Sequence, residues 1–403
     1  IIHSSSFRRL QGKTQIFGLG ESDFYRTRLT HSMEVAQISS GIIDVLVTNN
    51  KDIDFFPNQN LIETIGLAHD IGHPPFGHGG EKALNYCLSK KDNVFEGNAQ
   101  TYRICTYLGE HSSDNGFNLT RRCLLGLIKY PISFEDAINP KSYDYDKAPT
   151  NLDSFKPPKC IYEFDRTFHW IMEPFSKEDN KKFCESVVMT NKHHKSKYKS
   201  FDCSVMELAD DISYGIHDLE DAIALGFINK GIWEKQVIDK MDEEYTDLKD
   251  IIKKKQYIED LFSGQSFRRK RVISHLIHYF IKNVQLNKQS VFKHSLLDYQ
   301  AILIKHIKKE LDIFQNLVCE YVIKKQNVQM LEYCGEMLII KLFEAIYANP
   351  KRFLPDDYFQ LYEKNQNNIR IVSDYIAGMT DNHAVHIYHQ IFSPDEGSMF
   401  RKI

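Results

Sequence analysis

The residues best equipped for chemistry in this chain are imidazoles and carboxylates at the ends of helical stretches. His69 and Asp70 are adjacent where an apolar helical run stops. His31 lies in the first turn expected of an earlier helix, and Asp210 and Asp211 sit together in a third. A divalent cation wants a few N and O ligands converging from separate elements. Two imidazoles with two carboxylates suit Mn, Fe, Co, Ni or Zn better than Mg or Ca. Water positions left open on such an ion make a site catalytic rather than structural. In a chain with 17 histidines, one His–Asp dipeptide is weak evidence, and the bland reading is a satisfied core histidine. The run that follows is stronger. From His69 through Asp70, Gly72, His73, Pro74, Pro75, Gly77, His78 and Gly79 to Glu81, it packs three His, one Asp and one Glu between tight Gly/Pro turns. Burying those groups unpaired costs about a few kcal/mol each, so a plain core helix would not carry them.

The elements that must hold these residues read as helical almost throughout. Val35, Ile38, Ile42, Val45 and Leu46 form one apolar stripe after Thr30. Ile62, Ile65, Leu67 and Ala68 repeat the pattern until Pro74 and Pro75 forbid its continuation. Another helix is expected from Gly79-Gly80 through Cys87, with shorter ones at 101–108 and 119–128. Residues 139–160 lose all periodicity at Pro140, Pro149, Pro157 and Pro158, and read as a long, partly ordered loop or small ribbon. Phe201 to Ile228 reads as a strong helix, 231–262 and 271–349 as long Lys-rich helical stretches, and 369–393 as a final helix pair. Asp210, Tyr214 and Asp218 are spaced i, i+4, i+8 and share one face; Leu208, Ile212, Ile216 and Leu219 line another. Without further context that polar face is equally a solvated one. Strand signals are weak, and the fold class expected is mainly α.

Composition bounds the rest. The 403 residues carry 51 Lys+Arg against 54 Asp+Glu, a net charge of −3, with 42% hydrophobic residues. This is a folded globular chain, neither disordered nor fibrous, and not a generally basic nucleic-acid coat protein. The run Arg268-Arg269-Lys270-Arg271 is a local basic patch, more often a solvated face than a nucleic-acid contact. Eight cysteines show no C-x-x-C pair, which favours a reducing, cytoplasmic setting over a disulfide framework. No apolar run reaches 18 residues, so no transmembrane helix and no membrane partner are expected, and no stretch reads as a signal peptide. The chain opens on Ile1 rather than Met, inside what reads as structured sequence, and residues before it are expected.

The ordered set of motifs resembles the HD-domain superfamily of metal phosphohydrolases, signature H…HD…D, and most closely its deoxyguanosinetriphosphate triphosphohydrolase branch. The matching segments are Phe7 to Gln11, Arg28 to Val35, His69 to Glu81, Glu96 to Gln100, Leu127 to Pro131, Ala209 to Tyr214, and Asp374 to Asp381. Each is modest alone; together, in order, they cover nearly the whole chain. The resemblance implies an HD-domain helical fold with additional C-terminal helices: residues 1–230 as the phosphohydrolase core and 231–403 as a helical extension in one continuous domain. It implies one divalent metal (Mn, Mg, Co, Fe or Ni) on His31, His69, Asp70 and Asp210, with His78 and Glu81 as catalytic residues. It implies substrate contacts from Arg28, Lys159, Tyr214 and Asp218, with Tyr214 packed against C2′ and Asp218 on the 3′-hydroxyl. His73 is read as a phosphate contact or a support to the metal motif, and Gln11 and Gln15 as candidate base or sugar contacts. The implied reaction converts a deoxynucleoside triphosphate to the deoxynucleoside and inorganic tripolyphosphate. The implied assembly is a homo-oligomer, in many relatives a hexamer, with single-stranded DNA or a nucleotide as candidate effector. Two other readings compete: a different HD phosphohydrolase acting on another nucleotide, and a nucleic-acid-binding regulatory protein that keeps the HD fold.

Overall fold

The computed structural model describes residues 1–15, 26–241 and 246–393, with the backbone alone at 246 and 247. The principal elements in chain order are α1 (Arg28–Asn49), α2 (Gln59–Ala68), α3 (Gly77–Ser89), α4 (Gly97–Arg103), α5 (Phe201–Ala224), α6 (Ser266–Lys282), β1 (Val284–Lys288), β2 (Tyr299–Leu303), α7 (Lys305–Val318), α8 (Gln326–Ala348), α9 (Arg370–Ala377) and α10 (Asp381–Phe392). The expected mainly α class is what the chain adopts. Packing groups it into two compact units, each assembled from separated segments. One comprises residues 1–32, 67–199 and 330 onward; the other comprises 33–66 and 200–329. The division at residue 230 drawn from the sequence falls inside the second of these.

The first unit is built on an apolar core shared by α3, α8, α9 and α10. Leu84 and Leu88, Ile339 and Phe343, Val372 and Ile376, and Ala384 and Ile387 all bury their side chains in it. Phe155 enters the same core from the irregular 139–160 segment, stacked on Tyr143 at 5.1 Å and edge-on to Tyr86 at 5.0 Å. The Asn85 side-chain amide donates to the Phe155 carbonyl at 3.0 Å and to the Tyr143 hydroxyl at 3.1 Å, and Leu152 is buried in the same core, so this breaker-rich stretch is anchored at several points. Its regular structure amounts to two single 3-10 turns, Pro140–Ser142 and Asp153–Phe155. The Glu96 carboxylate caps α4 by accepting from the Ala99 N–H at 2.7 Å, a helix start stabilised by both hydrogen bond and charge.

In the second unit α5 is the central helix, capped by Ser200 through the Cys203 N–H. Its apolar residues Leu208, Ile212, Ile216 and Leu219 are all buried, as their spacing requires. Asp211 lies on the polar side, where Lys308 of α7 reaches it at 2.8 Å. Trp233 and Phe314 stack at 5.8 Å, and Phe280 meets Phe314 edge-on.

One expectation is corrected here. Residues 271–349 are not continuously helical: β1 and β2 form an antiparallel hairpin, with Val284 opposite Leu303 and Lys288 opposite Tyr299. Each strand has five residues, and only Val284, Ala301 and Leu303 are buried. That alternation is too short to stand out against Lys-rich helical flanks. The hairpin is held from outside as well, by the Ala301 N–H donating to the Ser204 hydroxyl of α5 at 2.9 Å.

Candidate metal centre and active site

Where α2 ends at Ala68, the chain makes a tight turn that turns His69 and Asp70 inward. Two observations explain the turn. The Thr101 hydroxyl of α4 donates to the His69 carbonyl at 3.1 Å and accepts from the Gly72 N–H at 3.0 Å. A Cβ at Gly72 would lie 2.1 Å from the Thr101 nitrogen and 2.3 Å from the Gly97 carbonyl oxygen, so only glycine lets α4 pass this closely.

His31, on the first turn of α1, meets His69 edge-on with ring centroids 5.4 Å apart, and their ligand atoms lie within 4.8 Å of each other. Both rings are buried. Asp70 stands beside them, with Oδ1 3.6 Å from His69 Nε2 and 2.9 Å from His73 Nδ1. The Arg28 guanidinium grips the other carboxylate oxygen. Burial alone would raise the Asp70 carboxyl, but the charges of His73, Arg28 and His69 outweigh it and hold the group well below the ordinary carboxylate range. A buried carboxylate kept ionised beside two imidazoles is a mixed oxygen and nitrogen donor set, and it fits a divalent transition-metal ion. His73, read from the sequence as a phosphate contact or a support, has its Nδ1 against Asp70 Oδ1.

At the start of α3 a second pair forms. His78 Nδ1 lies 3.3 Å from Glu81 Oε2, and the other Glu81 oxygen accepts from the Gly97 N–H at 2.8 Å. The two partners differ in exposure: the His78 side chain is 72% exposed and that of Glu81 only 4%. Burial pushes the Glu81 carboxyl up, yet Lys159, then the His78 hydrogen bond, drive it below the ordinary range. Lys159 itself hydrogen-bonds Glu96 at 3.3 Å, and its ammonium is favoured by Glu81 and Glu96 over the cost of burial. The His73 and His78 rings are 6.1 Å apart, which links this pair to the Asp70 cluster.

Gln11 is exposed and accepts a hydrogen bond from the Thr27 hydroxyl at 3.2 Å. Gln15 is half-buried. In the second unit Asp210, Tyr214 and Asp218 lie along one side of α5, the first two half-buried and Asp218 buried. Burial and then the Asp218 charge raise the Tyr214 phenol, so it stays neutral. The basic run is not an unpartnered face: Lys270 pairs with Glu220 at 2.9 Å, and Arg268 reaches Asp260 at 3.7 Å.

Sequence reasoning gave no role to two further residues, although Asp381 closes the segment 374–381 that carries the resemblance. Lys13 is almost fully buried, and its ammonium donates to the carbonyls of His73 at 2.6 Å and Ala377 at 2.7 Å. Burial, then the nearby Arg28 charge, lower it to about 7. Asp381 is buried and tied to the turn after His73. No local pattern announces what either residue binds, because their partners are 60 to 367 residues away in sequence.

Comparison with known proteins follows the same lines. Residues 28–128 match the HD domain and residues 301–390 the phosphohydrolase-associated domain, so the class of molecule is an HD-domain phosphohydrolase. The deoxyguanosinetriphosphate triphosphohydrolase-like proteins of Shewanella sediminis and Shewanella pealeana are 40% and 41% identical to this chain. Each comparison covers 99% of the chain and 91% of the relative. The chain belongs to the deoxyguanosinetriphosphate triphosphohydrolase-like family. No helix among the described residues is long and apolar enough to cross a membrane.

Proposed function

We propose that this protein hydrolyses deoxynucleoside triphosphates, dGTP-like ones included, to the deoxynucleoside and inorganic tripolyphosphate. The observation that carries the reading is the convergence of His31, His69 and Asp70 beside the His78–Glu81 pair, in a chain that matches over 99% of its length a protein named deoxyguanosinetriphosphate triphosphohydrolase-like. His31, His69 and Asp70, with Asp210 as a further ligand, would hold one divalent cation; Mn, Mg, Co, Fe and Ni are all candidates. When bound, that ion supplies Lewis-acid polarisation of a phosphoryl oxygen and an acidified water.

The side chains do the rest. Arg28 and Lys159 bring cationic charge to the triphosphate, where guanidinium and ammonium hydrogen bonds are charge-assisted. His78 exchanges a proton with the reacting oxygens, and Glu81 fixes its tautomer and favours the imidazolium. His73 holds the Asp70 carboxylate in place through the 2.9 Å contact. Tyr214 packs against C2′ and excludes a 2′-hydroxyl, while Asp218 accepts from the 3′-hydroxyl. Gln11 contributes a polar contact to base or sugar. The proposed setting is the cytoplasm and the proposed assembly a homo-oligomer.

The test is incubation with each dNTP and Mn or Mg, with products resolved by ion chromatography. Tripolyphosphate release is expected. Phosphate or pyrophosphate in its place would assign the site to another HD phosphohydrolase reaction.

A further inference from the structure

We propose that Asp381 is a positioning residue for His78 and Glu81, acting through the turn at Phe76. The inference rests on the acid–base roles proposed above for that pair.

The turn is unusual backbone. Phe76 adopts φ 61° and ψ 24°, a left-handed conformation that an aromatic residue rarely takes, and Gly77 follows at φ 55°. Such a conformation persists only where surrounding contacts over-determine it. Here they do so from two sides. The Phe76 N–H donates to Asp381 Oδ1 at 3.0 Å. Opposite, the Phe76 side chain seats against α8 at Gly335, where an added Cβ would lie 2.6 Å from Phe76 Cβ. Because α3 starts at Gly77, the direction of this turn fixes where His78 and Glu81 begin.

Asp381 does this as a two-oxygen acceptor. Its second oxygen accepts from the Thr14 N–H at 3.0 Å and from the Thr14 hydroxyl. Next to Thr14, Lys13 ties the beginning of the same loop, the His73 carbonyl, to Ala377 at the end of α9. The loop from His73 to Phe76 is thus pinned at both ends by residues 13–14 and 377–381. Asp374, on α9, is an internal contrast. It is just as buried, but its carboxylate serves the Gln100 amide at 2.9 Å and the Arg103 guanidinium at 2.7 Å, partners on α4 rather than in the 73–81 turn.

The experiment compares the full-length protein with four variants: Asp381→Asn, Gly335→Ala, Asp374→Asn and His78→Ala. Asparagine keeps the size of Asp381 but offers one acceptor oxygen to three donors. The readouts are kcat and KM for dNTP hydrolysis, bound metal, Tm, and hydrogen exchange of the peptide containing Phe76. Asp381→Asn should lower kcat about 10- to 100-fold with KM within about twofold, speed exchange at Phe76 and leave bound metal unchanged. Gly335→Ala perturbs the same turn from the other side and should lower kcat likewise. Asp374→Asn should lower Tm while sparing both kcat and exchange at Phe76. The proposal is overturned if Asp381→Asn keeps wild-type kcat, if its loss of kcat tracks loss of metal, or if Asp374→Asn loses as much kcat at an equal drop in Tm. An inactive His78→Ala beside a fully active Asp381→Asn defeats the positioning role alone. A fully active His78→Ala defeats the acid–base reading and this proposal with it.

Discussion

The Asp70 cluster and the His78–Glu81 pair use the same side-chain types to opposite ends. In the cluster every member is buried: His31, His69, Asp70 and Arg28 are all withdrawn from solvent, and the carboxylate is held by the Arg28 guanidinium on one oxygen and the His73 ring nitrogen on the other. In the pair only the carboxylate is buried, and the imidazole reaches outward at 72% exposure. Groups that must hold a cation gain from a fixed, desolvated setting. A group that must give and take a proton has to meet its reaction partner. Under the roles proposed above, burial separates the two jobs more clearly than residue type does.

The sharpest way to break this contrast is His69→Ala. Hydrolysis should fall at least about 1000-fold, the several kcal/mol a catalytic ion contributes, and metal content measured by mass spectrometry should fall with it. Asp210→Ala should behave the same way; a variant that keeps its metal and its rate would remove that residue from the ligand set. His78→Ala should lower kcat about 100- to 10,000-fold while metal content stays at the wild-type level. If both variants lose metal alike, the two regions are one structural unit and the contrast fails. Tyr214→Ala should act on selectivity, reducing the ratio of deoxy to ribo kcat/KM about tenfold; an unchanged ratio would take Tyr214 out of sugar recognition.

The smallest effect concerns pH. Lys159 is the leading cation that depresses the Glu81 carboxyl. Lys159→Met should let that carboxyl rise toward its ordinary range, so it is protonated at higher pH and the acid limb of the rate profile moves upward. The same sign governs stability. A carboxyl with a depressed folded pKa stabilises the fold above its unfolded pKa, and that contribution is lost as pH falls through the folded value. The variant should therefore show a weaker dependence of Tm on pH in acid.

Much of this was legible along the chain because its signals are local. The period of Val35 to Leu46 gives a helix, and Pro74-Pro75 forbids the next one from running on. The crowding of His and acid between Gly72 and Glu81 marks a site before any fold is known. The hairpin at Val284–Leu303 was hidden because five-residue strands offer two or three alternations at most. Gln11 reads as a substrate contact by its motif, yet its visible partner is Thr27.

Sequence by itself therefore settled the helical class, the family and the residue types available for metal and proton chemistry. Each of these is written in composition, short-range period or ordered motifs. Only the tertiary structure decided that Lys13 lies under His73, that Asp381 holds Phe76 in a left-handed turn, and that residues 330–393 share a unit with residues 1–15 and 26–32. These are contacts between segments as much as 367 residues apart, and nothing in the local spacing of side chains encodes which distant partner will satisfy a buried charge.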